Sequence, residues 1–427
     1  MRYSEFPQAV IKENVNYSVK EIKNVIKRYG PRESGNDNCY AVQKHLKKEM
    51  DTFCDETGFE EYQMAPKAFL HFTKTISLFT IAAIVVPLLL VFLDVFDTVG
   101  PNPFFVPQII AGAASLISIV IAALQLGFYV PFCDMFYKKK PAHNFYAVRK
   151  PKGEVKKRLI ISGHVDAAYE WRHLLYSTKV HLMFPLMAWT IGGVIISIIV
   201  AVLAVVASFV DMGGFGDFMV NFSYYIHFIN AIAMITLFYF VDFSTISPGA
   251  NDNLTGTYAA VCAIRMLDMA GVELENTELV AMITDGEEAG LKGTMAWAKA
   301  HKDEYENEDV ETAVICVDTL CDLDDFNVYH RDMNSLVKND EELSNFVKEA
   351  GAEAGYEDMK LSSVFMGSSD AAAFSKAGIK CTAIAAMDPS PADYYHNRRD
   401  TADRLNPDAI EAGYKVLLST ILKYDAE

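Results

Sequence analysis

A chain of 427 residues can hold two or three ordinary domains, or one domain with large insertions. Aliphatic and aromatic residues make up 51% and charged residues 22%, with a net charge of −17, so an acidic polar part must coexist with a very apolar one. The acidic balance and the lack of a basic face exclude nucleic acid as a partner. Seven cysteines, an odd number without framework spacing, fit a reducing compartment rather than a disulfide scaffold.

In chain order, the first predicted element is a helix over about 37–56 ("DNCYAVQKHLKKEMDTFCDE"). Four uncharged runs follow, at 75–93, 104–132, 182–210 and 218–241, each of about twenty residues or more and so long enough to cross a bilayer. They come as two hairpins whose connectors, "DVFDTVGPNP" and "DMGGFGD", carry Asp94, Asp97, Asp211 and Asp217 but no Lys or Arg. Lys67, Lys74, Lys138, Lys139, Lys140, Arg172 and Lys179 flank the other ends. The positive-inside rule then predicts a multi-pass protein of the cell membrane, partnered by the lipid bilayer, with everything polar in the cytoplasm. Within the second run, "AGAAS" (111–115) is suited to close packing of two spans.

With the hairpins set aside, the remainder reads as one α/β domain. Its pieces are 1–68, 134–179 and 244–427, and the inserted hairpins occupy 69–133 and 180–243. "RLIISG", "ELVAMIT", "TAVICVD" and "CTAIAAM" are short β-rich runs. Helical patterns lie between or after them, near 255–270, 294–303, 340–353, 369–377 and 407–423. This alternation predicts a mixed, mostly parallel sheet flanked by helices on both faces.

Candidate chemistry collects at the ends of those strands. "LIISGHVDAA" puts His164 and Asp166 just past one strand, and "SPGANDNLTG" sets Asp252 in a loop before a helix. "TDGEEAG" holds Glu287 and Glu288, "AVICVDTLC" ends at Asp318, and "PADYYHNRRDT" offers His396. Singly, these read as a hydrogen-bonded histidine, a helix cap or turn residues. Jointly, His164, Asp252, Glu288, Asp318 and His396 are five groups of zinc-ligand type at the carboxyl ends of strands, where open α/β sheets build their sites. Two imidazoles and three carboxylates suit two divalent ions, most simply zinc, with one aspartate bridging. Glu287, beside a ligand yet free to point elsewhere, is placed to take a proton from water.

The ordered set H-x-D, G-A-x-D-N, D-G-E-E-x-G-L-x-G, a strand ending in Asp, and Y-H-x-x-x-D-T resembles the co-catalytic zinc aminopeptidases of metallopeptidase family twenty-eight. "YGPRESGNDNCYAVQKHLKKEM" looks like that family's N-terminal helix region. The resemblance implies a peptide substrate and release of N-terminal residues. It also implies that His164 and Asp318 bind one zinc, that Glu288 and His396 bind the other, and that Asp252 bridges them. In the same reading Asp166 orients His164 and Glu287 is the general base. Ala371 stands after Ser369-Asp370, where most relatives have His, which changes the local pocket. Two other readings stay open: a single-zinc enzyme like the glutaminyl cyclases, which share the fold, and an inactive membrane receptor or scaffold built on it.

Overall fold

The computed structural model describes residues 1–93, 105–176, 182–305, 309–390 and 392–427. Asp94, Asp97 and Lys179, used above to orient the hairpins, lie outside the described residues. The chain forms two compact units, one of Met1–Pro66, Lys138–Glu170 and Ser244–Glu427, the other of Lys67–Tyr137 and Trp171–Phe243.

The first unit is built on a mixed sheet. Its strands are β1 (Glu56–Met64), β2 (Lys140–Arg149), β3 (Lys157–His164), β6 (Thr277–Thr284), β7 (Glu311–Leu320), β8 (Phe326–Asp332), β9 (Val337–Lys338), β10 (Leu361–Ser363) and β11 (Cys381–Ala386). They lie in the order β1-β2-β6-β3-β7-β11-β8-β10, with β9 paired to β8. The central four, β6-β3-β7-β11, are parallel. Helices α1 (Gln8–Tyr29), α2 (Asp37–Met50), α8 (Gly256–Met269), α9 (Lys292–Tyr305), α10 (Glu341–Glu353), α11 (Ala371–Ala377) and α12 (Pro407–Ala426) complete the unit.

Strand alternation shares the apolar side chains between two cores. Leu159, Ile161, Ile315 and Val317 pack in a cluster with residues of α1, α2, α8, α10 and α12. Ile160, Val314 and Cys316 pack with Trp297 of α9 and Phe374 of α11. Burial on both faces explains why these strands read as continuous apolar runs.

The expected helix over 37–56 is shorter in the structure. It starts at the Asn36 cap and ends at Met50, and residues 56–64 form the edge strand β1. The cause is not local: β1 pairs antiparallel with β2, from Glu56 opposite Val148 to Met64 opposite Lys140, across the whole first hairpin.

The second unit contains α3 (Ala68–Phe92), α4 (Phe105–Ala122, continued by a π turn to Gly127), a short α5 (Arg172–Leu175), α6 (Met183–Phe209) and α7 (Gly214–Phe238). All but α5 are long and apolar enough to cross a membrane. Helix α3 begins earlier than its uncharged run, because Lys74 stays inside the helix with its ammonium over the rings of Phe238 and Phe243. Gly112 lies against Ala201, where an added Cβ would come within 2.7 Å of the alanine methyl, so "AGAAS" does sit at a close helix contact. A separate two-stranded ribbon joins β4 (Tyr169–Trp171) and β5 (Val241–Ile246).

Candidate metal centre

The carboxyl ends of β6, β3, β7 and β11 are neighbours, so the segments that leave them converge. His164 is the last residue of β3, Asp318 lies near the end of β7, and Glu287 and Glu288 follow β6. Asp252 sits in an irregular turn, Ala250–Thr255, ahead of α8. Two glycines bring that turn in: a Cβ on Gly163 would strike the backbone of Gly256 and Thr257, and one on Gly256 would strike Val317 O. Only bare backbone allows the start of α8 to press against β3 and β7.

All five proposed ligands meet. His164 Nε2 lies 3.5 Å from Asp252 Oδ1 and 4.0 Å from Asp318 Oδ1. His396 Nε2 lies 3.3 Å from the other Asp252 oxygen and 3.4 Å from Glu288 Oε2. The side chains thus form two groups able to hold a metal ion, His164-Asp252-Asp318 and Asp252-Glu288-His396, with Asp252 common to both. Glu287, the proposed base, has Oε2 at 3.8 Å from His164 Nε2 and belongs to neither group.

Asp166 lies behind these groups, fully buried. His164 Nδ1 is 3.1 Å from the Asp166 carbonyl and 3.5 Å from its carboxylate, which fixes a proton on Nδ1 and leaves Nε2 facing the other ligands. The Asp166 carboxylate also accepts from the N–H groups of Glu287 (3.3 Å) and Glu288 (3.1 Å). One side chain therefore orients the histidine and anchors the glutamate pair.

The electrostatics of the site follow from burial and from the neighbouring charges. Burial, with Asp252 alongside, pushes the Asp318 carboxyl up to about 7. Burial, opposed by His164 but reinforced by Glu288, carries Glu287 well above the carboxylate range. Glu288 rises through burial and then Asp252. Burial alone would depress His164, yet Glu287, Asp166 and Asp252 hold it well above the ordinary imidazole value. Burial would raise Asp252 too, but the imidazoles of His164 and His396 beside it bring it well below the usual range. Carboxylates crowded like this need cations or protons. Among the described residues, His164 Nε2 and Glu288 Oε1 are buried without a hydrogen-bond partner, and both belong to residues of the two groups. Nitrogen and carboxylate donors of this kind fit divalent ions such as zinc.

Sequence reasoning gave Asp400 no role, although it stands in the Y-H-x-x-x-D-T motif. Its carboxylate accepts from the N–H groups of Asn251 (2.9 Å) and Asp252 (3.0 Å) and from the Asn251 amide (2.8 Å), so it sets the turn that presents Asp252. Burial, then Asp252, pushes it up to about 7. Asp370, in the departing S-D segment, accepts from Thr284 and Thr294, and Ala371 beside it is buried.

The sequence profile described as peptidase family M28 matches residues 237–421. No curated protein matches the chain. Among solved structures, the fold is similar to a Bacteroides thetaiotaomicron glutaminyl cyclase bound to N-acetylhistamine (TM-score 0.54, 13% identity, 95% of this chain and 97% of that one). It is also similar to a Bacillus subtilis zinc aminopeptidase (0.51, 14%, 96% and 95%). A third is a Zn-dependent exopeptidase from Parabacteroides distasonis (0.52, 12%, 97% and 98%). At these identities the structural likeness establishes the fold, which peptidases and cyclases share.

Proposed function

We propose that this chain, a metallopeptidase of family M28 by its match over residues 237–421, is an aminopeptidase that uses two divalent ions, most simply zinc, and is held in the cell membrane by α3, α4, α6 and α7. The observation that carries the reading is the pair of ligand groups sharing Asp252. Five ligands are too many for one four-coordinate ion that keeps an open position.

His164 and Asp318 would hold one ion, Glu288 and His396 the other, and Asp252 both. When bound, the ions would acidify water and polarise the scissile carbonyl. The chain's own residues do the rest. Glu287 takes the proton of the attacking water on its carboxylate and delivers it to the departing amine nitrogen. Asp166 keeps His164 in the tautomer whose Nε2 is free to bind, and Asp400 holds the Asp252 turn.

The glutaminyl cyclase alternative shares the fold and uses one zinc. A panel of aminoacyl and peptide substrates, including peptides with N-terminal glutamine, assayed with and without chelator separates the two. Release of N-terminal residues by protein holding about two equivalents of metal supports the aminopeptidase. Cyclisation alone, with one equivalent, would replace it.

For the membrane reading, the described flanks Lys67, Lys74, Lys138, Lys139, Lys140 and Arg172 support a cytoplasmic catalytic unit. Gly213→Cys, between α6 and α7, should then react with an impermeant thiol reagent from outside intact cells. Labelling of the catalytic unit instead would reverse the orientation.

A further inference from the structure

The loop between α1 and α2, residues 30–36, reaches the metal centre through Arg32, which is fully buried. Its Nε donates to the carbonyl of Val165 at 3.0 Å, and Nη2 donates to those of Pro248 and Gly249, each at 3.0 Å. Val165 stands between His164 and Asp166, and Pro248 and Gly249 lead into the turn that presents Asp252. Backbone joins in, since the Arg32 carbonyl accepts from the N–H of Ala167 at 2.8 Å. Ser34 Oγ donates to the Asp166 carboxylate at 2.6 Å. Gly249 has φ +63°, and a Cβ there would come within 2.7 Å of both Arg32 Nη2 and the Ala167 methyl. The chain at Gly249 is shaped around the guanidinium.

We propose that Arg32 is a positioning residue of the metal centre, one that sets the spacing of His164 and Asp252 by clamping both segments that carry them. Burying a guanidinium is costly unless its donors are used. Here Nε and Nη2 make three hydrogen bonds, all to the two chain segments whose side chains lie 3.5 Å apart at the shared ligand, while Nη1 has no partner among the described residues. A planar fork reaches several carbonyls at once, which a lysine ammonium does less well. Arg32 lies outside the family match, which begins at residue 237. The proposal deepens the two-metal reading and rests on it.

Zinc competition against a chromophoric chelator, on the full-length protein in detergent, tests both and tells them apart. Wild-type protein with fewer than two binding steps would sink the two-metal reading. With two steps in the wild type, Arg32→Met should weaken one of them by about 10–100-fold, the usual range for groups that orient ligands. Arg32→Met should add little in an Asp318→Asn background, where that step is already impaired. Arg32→Ala should regain affinity with millimolar guanidinium, a rescue that general loosening of the fold would not give. A folded Arg32→Met protein with both wild-type constants would overturn the proposal. If that variant does not fold, Arg32→Lys decides: tenfold loss or more in one step supports it, and wild-type constants refute it.

Discussion

The two units of this chain place polar and apolar side chains in opposite ways. In the first, Leu159, Ile160 and Ile161 are wholly buried, and the ionisable groups His164, Asp166, Asp252, Glu287 and Asp400 are buried with them. In the second, Leu78, Val86, Leu89, Ile109, Leu116, Ile191, Ile195 and Ile199 face outward, while Ser77, Thr80, Ser118, Ser197, His227 and Asn230 are buried. Thr80 bonds Ser118 at 2.6 Å and Gln108 bonds His227 at 2.8 Å inside the helix cluster. Water drives apolar groups together, whereas lipid gives no such drive and leaves helix association to close packing and hydrogen bonds. The outward apolar side chains and buried hydroxyls of the second unit are what the rule for lipid predicts, and they support the proposed membrane reading beside hydropathy.

The charged interior of the first unit gives the largest expected effects. Removing metal with a chelator should abolish turnover and leave the helices of the second unit intact by circular dichroism, since those bury neutral groups. Loss of helix in step with activity would break the contrast. Next, Glu287→Gln should keep the metal and lose about 10²–10⁴-fold in kcat, because an amide accepts no proton. Metal-loaded variant with near-normal kcat would remove Glu287 from the mechanism.

An outward position of the second unit sharpens the contrast further. Ile196 is 47% exposed on α6. A surface change in water costs within about 0.5 kcal/mol, but Ile196→Arg at the middle of a spanning helix should cost about 2.5–3.5 kcal/mol in membrane insertion. A glycosylation-based insertion assay reads the difference, and an unchanged inserted fraction would return α6 to water.

The smallest effect concerns pH. Asp318 and Asp400 are each pushed up to about 7 by burial and neighbouring Asp252, against about 3.9 for an unfolded aspartate. Between those values the folded, metal-free chain binds more protons than the unfolded one, so its stability falls as pH rises through that window. The metal-free Tm should therefore be higher near pH 5 than near pH 8. Zinc should raise Tm more at pH 8, where it need not displace protons. Equal zinc-induced shifts at the two pH values would contradict this account of the crowded carboxylates.

Much of this was legible in the sequence, for identifiable reasons. The parallel strands announce themselves because both faces are buried, and the ligands because motif residues stand at strand ends. Helix α3 was underestimated because Lys74 interrupts hydropathy without interrupting the helix. Strand β1 was missed because its side chains are mostly half-buried and its partner lies beyond the first hairpin. Arg32 and Asp400 were not assigned because they act largely on backbone groups, whose positions no local pattern of side chains reveals.

The insertion of helical hairpins between paired strands has a consequence for how the molecule is made. Residue 64 must wait for residue 140, and His164 gains its neighbour Asp252 only after the second hairpin has emerged. His396, required by the second ligand group, comes later still. During synthesis from the N-terminus, both hairpins are complete while the sheet still lacks β6, β7 and β11. Long-range closure of this kind is slow and leaves strand edges unpaired. The nascent first unit therefore spends most of its translation unable to bring its two candidate ligand groups together, and the proposed activity would arise only near the end of elongation.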